Sequence, residues 1–159
     1  MPPAARHGVT VDAEPHDSPD ALALQAALSA RLKARYGSDG KAGFAGFTAG
    51  AGGTAFAVAR DAAGLAVGCG ALLPLAAEPG CGEIKRMYAS QPGQGIGGRV
   101  LAFLEDQARA AGYRHLKLST RHANTGALSF YRSQGFSDTP SYGPYATRPE
   151  CACLAKPLD

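Results

Sequence analysis

No apolar run in this sequence approaches the ~20 residues that a membrane-spanning helix requires. The opening residues, MPPAARHGVTVDAEPHD, lack the apolar segment of a secretory leader, so a cytoplasmic location and no membrane partner are expected. Lysine and arginine form no block, and the formal net charge of +3 is too mild to imply a nucleic-acid partner. The four cysteines have no second Cys pair or His pair beside them, which argues against a metal site. Without a leader they are expected to be reduced. Cys151 and Cys153 alternate with Ala152 and Leu154 and would share one face of a terminal strand. Cys69 and Cys81 read as small buried side chains. What these absences leave is a soluble globule. Its 159 residues, 45% hydrophobic and 18% charged, suffice for one core and are too apolar for a disordered chain.

Taken in order, residues 1–8 read as a loose arm, and Val9–Ala13 alternates weakly, as an edge strand would. Ser18-Pro19-Asp20 is a helix start: a capping hydroxyl, proline at the first helical position, then an acid in the first turn. Leu24, Leu28, Leu32 and Tyr36 then recur every four residues, giving one apolar stripe that ends at Gly37. The glycine-rich segment 37–53 reads as an irregular loop whose Phe44 and Phe47 cover something. Thr54–Arg60 and Leu65–Leu73 flank a short turn ending in Gly64, the pattern of a hairpin. A proline- and glycine-rich turn over 74–82 leads into a strand at 83–88. A helix over 98–111 and a strand at His115–Thr120 follow. Asn124 caps another helix through Ser133 that Gly135 ends. A tyrosine- and proline-rich loop, 138–149, precedes a last strand near Cys151–Lys156. The order predicts an α/β (α+β) chain with a mixed, mostly antiparallel central sheet flanked by helices on both faces, one domain over 1–159 with no internal repeat.

The stretch from Glu83 to Gly112, EIKRMYASQPGQGIGGRVLAFLEDQARAAG, organises the rest. It places Gly93, Gly95, Gly97 and Gly98 where a helix begins. A glycine costs a helix about 1 kcal/mol relative to alanine, so two in the first turn imply that the backbone itself must be reached. The first N–H groups of a helix are unpaired and sit at the positive end of its dipole, a ready site for a phosphate. Gly93-x-Gly95-x-x-Gly98 formally satisfies the dinucleotide-binding fingerprint. That fingerprint should follow the first strand of a parallel unit and precede a ribose-binding acid. Here an antiparallel run comes first, and the next strand ends Leu118-Ser119-Thr120 without an acid.

A second pattern matches better. Gln94-Gly95-Ile96-Gly97-Gly98-Arg99-Val100-Leu101 resembles the acetyl-coenzyme A loop of the GNAT superfamily of N-acetyltransferases. Asn124-x-x-Ala127-x-x-Phe130-Tyr131-x-x-x-Gly135-Phe136 resembles its second motif. The resemblance is firm over 83–136 and extends loosely over 54–156. In one respect the chain departs from the pattern: the family's leading Gln/Arg falls on Pro92, and Ala89–Gly93 is short. Gln91 or Gln94 compensates, or one side-chain contact to phosphate is missing. Weakened, not abolished, cofactor binding is then expected, because backbone amides supply most of the contact.

The resemblance implies acetyl-CoA as acyl donor, no metal, and transfer of acetyl to an amine of a small molecule or protein in a ternary complex. A non-catalytic acyl-CoA-binding module is the alternative. The resemblance also admits a homodimer, which no residue demonstrates. Tyr131 matches a position where a phenol, with a reference pKa of about 10, protonates the departing thiolate; packing on the sheet is its other reading. Glu83 matches a glutamate that takes the amine's proton in some members, and is equally readable as a solvated strand-end acid. Met87, Tyr88 and Ala89 match the strand end that pairs main chain with the pantetheine arm. Gln94, Gly95, Ile96, Gly97, Gly98, Asn124, Ala127 and Tyr131 complete the expected cofactor contacts, although Asn124 is also a helix cap. Lys85 and Arg86 should point to opposite faces of their strand. Arg86, Tyr142 and Tyr145 are the candidate acceptor-binding residues, suited to a carboxylate or other polar group.

Overall fold

The computed structural model describes residues 8–44, 47–48 and 50–159. Residues 1–7 of the expected arm, and Ala45, Gly46 and Ala49 of the glycine-rich segment, lie outside the described residues. In chain order the elements are β1 (Thr10–Ala13), α1 (Pro19–Tyr36), β2 (Ala55–Arg60), β3 (Ala66–Pro74), β4 (Cys81–Ala89), α2 (Ile96–Ala110), β5 (His115–Arg121), α3 (Thr125–Ser133), β6 (Ser137–Asp138) and β7 (Cys151–Pro157). Short 3₁₀ turns occupy Lys41–Phe44 and Gly143–Thr147. The strands form one sheet in the order β1-β2-β3-β4-β5-β7-β6, in which only the β4–β5 pair is parallel.

Local chemistry accounts for the helix bounds. The Ser18 side chain accepts from the Ala21 amide, Pro19 occupies the first turn, and Gly37 closes α1 in the left-handed region at φ 77°. Asn124 caps α3 by accepting from the Ala127 amide at 3.2 Å. The α2 helix starts at Ile96, two residues before the position the sequence suggests. The reason is that Gly95, not a later residue, takes the left-handed cap conformation at φ 74°, so Gly97 and Gly98 belong to the first turn. The two-residue strand β6, paired with β7 at Ser137↔Ala155, was not foreseen.

Helices cover both faces, as the alternation in the strands requires. Phe56, Val58, Cys69 and Ala71 face α1 and pack on Ala21 and Leu24. Phe44 and Phe47, stacked at 4.7 Å, extend that cluster, so the glycine-rich segment does cover core. Ala57, Leu72 and Ile84 face the other way, against Val100, Leu101 and Leu104 of α2 and Leu128 and Tyr131 of α3.

Two glycines of β3 set how closely α2 approaches. A Cβ on Gly70 would lie 2.5 Å from the Met87 sulfur and 2.9 Å from Leu104 and Val100. One on Gly68 would lie 2.5 Å from the Ile96 side chain and 3.0 Å from the Tyr88 carbonyl oxygen. The start of α2 therefore rests directly on the sheet backbone beside the last residues of β4.

Two outcomes follow from this packing. Gly68→Val should destabilise the fold by about 1–3 kcal/mol, because the Tyr88 carbonyl is backbone and cannot yield; urea unfolding measures it, and a variant within error of the parent would remove Gly68 from this role. The second concerns alkaline stability. Burial pushes the Cys69 thiol from its ordinary 9.0 up to about 12. The folded chain thus keeps this proton over a pH range in which the unfolded chain loses it. Stability from Cys69 is complete below about pH 9 and is lost as pH rises toward 12. Cys69→Ala should flatten the alkaline fall in stability, read from unfolding curves across that range.

Candidate active site

The parallel strands β4 and β5 stay together for only three pairs, Cys81↔His115, Gly82↔Leu116 and Glu83↔Lys117, and then part. Their outer edges remain in the sheet: β4 holds β3 as far as Gly68↔Ala89, and β5 holds β7 as far as Arg121↔Cys151. The inner edges border a cleft of about 300 Å³. Leu28, Leu32 and Tyr36 of α1 line it from one face of the sheet, and Ala127 and Tyr131 of α3 from the other. The cleft thus passes through the sheet. A hollow of about 390 Å³ between α1, Lys41 and Phe44 is larger, but neither α3 nor β5 borders it.

A β-bulge bends β4 at the cleft. Cys69 faces Tyr88 and Ala71 faces Lys85, so two steps along β3 span three along β4. The extra residue falls at Arg86, whose φ of 55° is the one positive value outside glycine among the described residues. Such a conformation costs roughly 1–3 kcal/mol. The guanidinium offsets it: its terminal nitrogens donate to the Asp39 carbonyl at 3.2 Å, the Gln25 carbonyl at 3.0 Å and the Ser29 hydroxyl at 2.7 Å. Hydrogen bonds from a charged donor contribute about 1.5–3 kcal/mol each, so the three together hold the bend. Burial lowers the Arg86 pKa. Arg86 borders the cleft, but most of its donors are committed to α1 and the segment after it.

The glycine turn lies on the α2–α3 face. Gly93 and Gly95 are left-handed, at φ 78° and 74°, and the first helical bond runs from the Arg99 amide to the Gly95 carbonyl at 3.2 Å. The amides of Ile96, Gly97 and Gly98 precede that bond and have no partner within the helix. A Cβ on Gly97 would reach the Phe130 ring at 3.4 Å, an ordinary contact, so packing does not by itself require glycine there. Gln91, Pro92 and Gln94 are all exposed in the turn.

Tyr131 is only 8% exposed, with its ring edge-on to Phe130 at 5.0 Å and to Phe136 at 5.7 Å. Burial pushes its phenol pKa up, so it stays protonated at neutral pH. Among the described residues its hydroxyl has no hydrogen-bond partner. Met87 also lines the cleft, while the Arg31 guanidinium lies over the Tyr88 ring at 4.5 Å and reaches the Ala89 carbonyl at 3.4 Å. Asn124 borders the cleft while serving as the α3 cap.

Glu83 is 7% exposed and lies at the apex where the strands part. Its carboxylate accepts from the Tyr142 hydroxyl at 2.8 Å and sits 3.6 Å from the Lys85 ammonium. Burial, then the Glu83 charge, pushes the Tyr142 phenol pKa up. Lys85 donates to the Tyr145 hydroxyl at 2.7 Å. Tyr145 borders the cleft with Lys85, whereas Glu83 and Tyr142 stand behind it. Strand alternation predicts opposite faces for Lys85 and Arg86, but both side chains lie on the α1 face, because the bulge at Arg86 breaks the alternation: Lys85 is paired with Ala71, which faces α1, and Arg86 reaches Ser29. Among the lining residues that the sequence does not single out for the site are Tyr36, Arg121 and Arg148. The Arg121 guanidinium stacks on Tyr36 at 4.9 Å, and that of Arg148 lies 5.9 Å from the Tyr145 ring centre. The only signal for the arginines was position, one ending β5 and the other preceding β7. Cys151, half-buried, also borders this end. No cluster of three or more potential metal ligands occurs among the described residues, and no described helix is long and apolar enough to cross a membrane.

This arrangement has counterparts. The chain is 43% identical over 105 residues to a protein of Azospirillum brasilense named IAA acetyltransferase, a match covering 65% of this chain and 67% of that one. It superposes with a TM-score of 0.80 and 27% identity on a Klebsiella pneumoniae structure described as an acyl-CoA N-acyltransferase, covering 95% of this chain and 98% of that one. A GNAT family acetyltransferase from Elizabethkingia anophelis, solved with acetyl-CoA bound, shares the fold at a TM-score of 0.67 and 20% identity, covering 95% and 99%. Residues 23–136 match the sequence profile of the acetyltransferase (GNAT) family, and the chain belongs to that family.

Proposed function

We propose that the chain is an N-acetyltransferase of the cytoplasm that moves the acetyl group of acetyl-CoA directly onto a primary amine in a ternary complex. The observation that carries this reading is the cleft through the sheet. It has a buried phenol on the face that carries α2 and α3, and a polar, aromatic-lined mouth on the other; the unpaired first amides of α2 lie on the same face as the phenol. Two reactants can enter from opposite sides and meet where β4 and β5 part.

When bound, the donor supplies a thioester carbonyl as the electrophile. The amides of Ile96, Gly97 and Gly98 receive the pyrophosphate at the α2 dipole, with Gln94 and Gly95 in the turn before them. Because these contacts are main-chain, Pro92 weakens binding without removing it. Backbone of Met87, Tyr88 and Ala89, on the edge that β5 leaves, pairs with the pantetheine arm where β3 and Arg31 do not already occupy it, with Asn124 and Ala127 across the cleft. The acceptor nitrogen attacks the carbonyl carbon, a C–N bond forms and the C–S bond breaks. Tyr131 gives its proton to the departing sulfur. The proton shed by the amine passes through water to Glu83, behind Lys85 and Tyr142.

Tyr131→Phe should lower turnover on the order of 10²-fold or more, the usual share of a general acid, while calorimetry with acetyl-CoA stays near the parent affinity. Unchanged turnover would remove Tyr131 from this role. Turnover absent in the parent, despite saturable acetyl-CoA binding and a broad amine panel, would favour a non-catalytic acyl-CoA-binding module instead. Failure to bind acetyl-CoA at all would sink both readings. Direct transfer makes a second prediction. Cys151→Ser should acetylate amines at the parent rate, and mass spectrometry should find no acetyl adduct on Cys151; an adduct formed and consumed during turnover would mean an acyl-enzyme.

A further inference from the structure

We infer that the acceptor is a small amine carrying a free carboxylate, an amino acid or a compound of that kind with an apolar or aromatic side chain. The inference rests on the acetyl-transfer reading above. Tyr36, Lys85, Arg86, Arg121, Tyr145 and Arg148 border the cleft, while among the described residues no aspartate or glutamate does. Elsewhere cations meet acids: Arg60 pairs with Glu14 and Asp20, Lys117 with Glu78, Arg132 with Asp138 and Lys156 with Glu105. At the cleft, Arg121 and Arg148 lie against the Tyr36 and Tyr145 rings and, among the described residues, have no carboxylate partner. Lys85 has Glu83 at 3.6 Å, but its close bond, 2.7 Å, is to Tyr145. Arg86 is 8% exposed and its Nε–H is buried without a partner.

Four cations around one opening, with Glu83 behind Lys85 and the Asp39 charge acting on Arg86, still repel each other. Low-dielectric walls focus their field into the cleft. A buried donor without a partner is a further cost that an incoming acceptor atom removes. An anion relieves both costs, and a second cation worsens the first. A polyamine, or a lysine side chain on a basic peptide, is therefore the wrong charge. Size narrows the class further. About 300 Å³ is at the small end for a ligand site, and the α3 side of that space must hold the thioester. What remains suits an amino acid. Leu28 and Leu32, with the rings of Tyr36 and Tyr145, offer its side chain an apolar wall.

The test is thiol release from acetyl-CoA with three probes: L-phenylalanine, L-phenylalaninamide and spermidine. The free acid should exceed the amide in kcat/KM by at least about tenfold, the scale of a charge-assisted contact, and spermidine should be inert. The amide has the less basic amine, more often neutral, so a preference for the acid cannot arise from amine protonation. Arg148→Gln, at an exposed position, should narrow that ratio by raising KM for the acid more than KM for the amide. Equal or faster turnover of the amide or of spermidine overturns the inference and leaves acetyl transfer standing. So does saturable acetyl-CoA binding with no turnover of any common amino acid. Absence of acetyl-CoA binding instead overturns the acetyl-transfer reading itself.

Discussion

The structure depends on a bend in one strand held by one buried guanidinium. At Arg86 the β4 backbone takes a conformation that side chains rarely adopt, and an extra residue opposes β3 there. A bulge bends its strand and takes it out of the neighbouring ladder. Left alone, such a bend would relax. The Arg86 bonds to Gln25, Ser29 and Asp39 tie it to α1 and the segment after it, so the same side chain that sits in the strained residue also anchors it. With β4 turned aside, β5 keeps its seven pairs with β7 and cannot follow. An opening through an otherwise continuous sheet is the result.

Two separate demands for close approach then converge on that opening. Gly68 and Gly70 let α2 settle onto β3, so that its amino end lies beside the bulge. Gly93 and Gly95 turn the chain into that helix with left-handed residues, leaving the first amides unpaired. The chemistry offered to a phosphate-bearing cofactor is mostly backbone, and backbone is positioned by packing more rigidly than a long side chain would be.

Charge is distributed with similar economy. Peripheral ion pairs are exposed or half-exposed and contribute little individually. The Lys156–Glu105 pair, joining β7 to α2, is the more buried exception, with side chains 22% and 11% exposed. At the cleft the cations instead rest against tyrosine rings, an arrangement that keeps them ordered while leaving their charge available. Glu83 brings negative charge close at the apex, under the Tyr142 hydroxyl, and the Asp39 charge acts on Arg86.

The sequence by itself determined the element order apart from the short strand β6, the caps of α1 and α3, the placement of helices on both faces, and the glycine turn as the start of a helix. Each is set by neighbours within about one helical turn or by strand alternation, and such rules can be read residue by residue. Tertiary structure decided the rest. EIKRMY reads as a regular strand, and nothing local marks its bulge, because the bonds that hold it come from residues 47 to 61 positions away. Tyr36 reads as the end of an apolar stripe, yet that stripe runs out of the core and becomes a cleft wall. Gly68 and Gly70 look like small strand residues until α2 is laid on them. Whether Lys85, Arg86, Arg121 and Arg148 would find acids was undecidable along the chain, since ion pairing depends on distance in space, and only the fold brings these four to one opening.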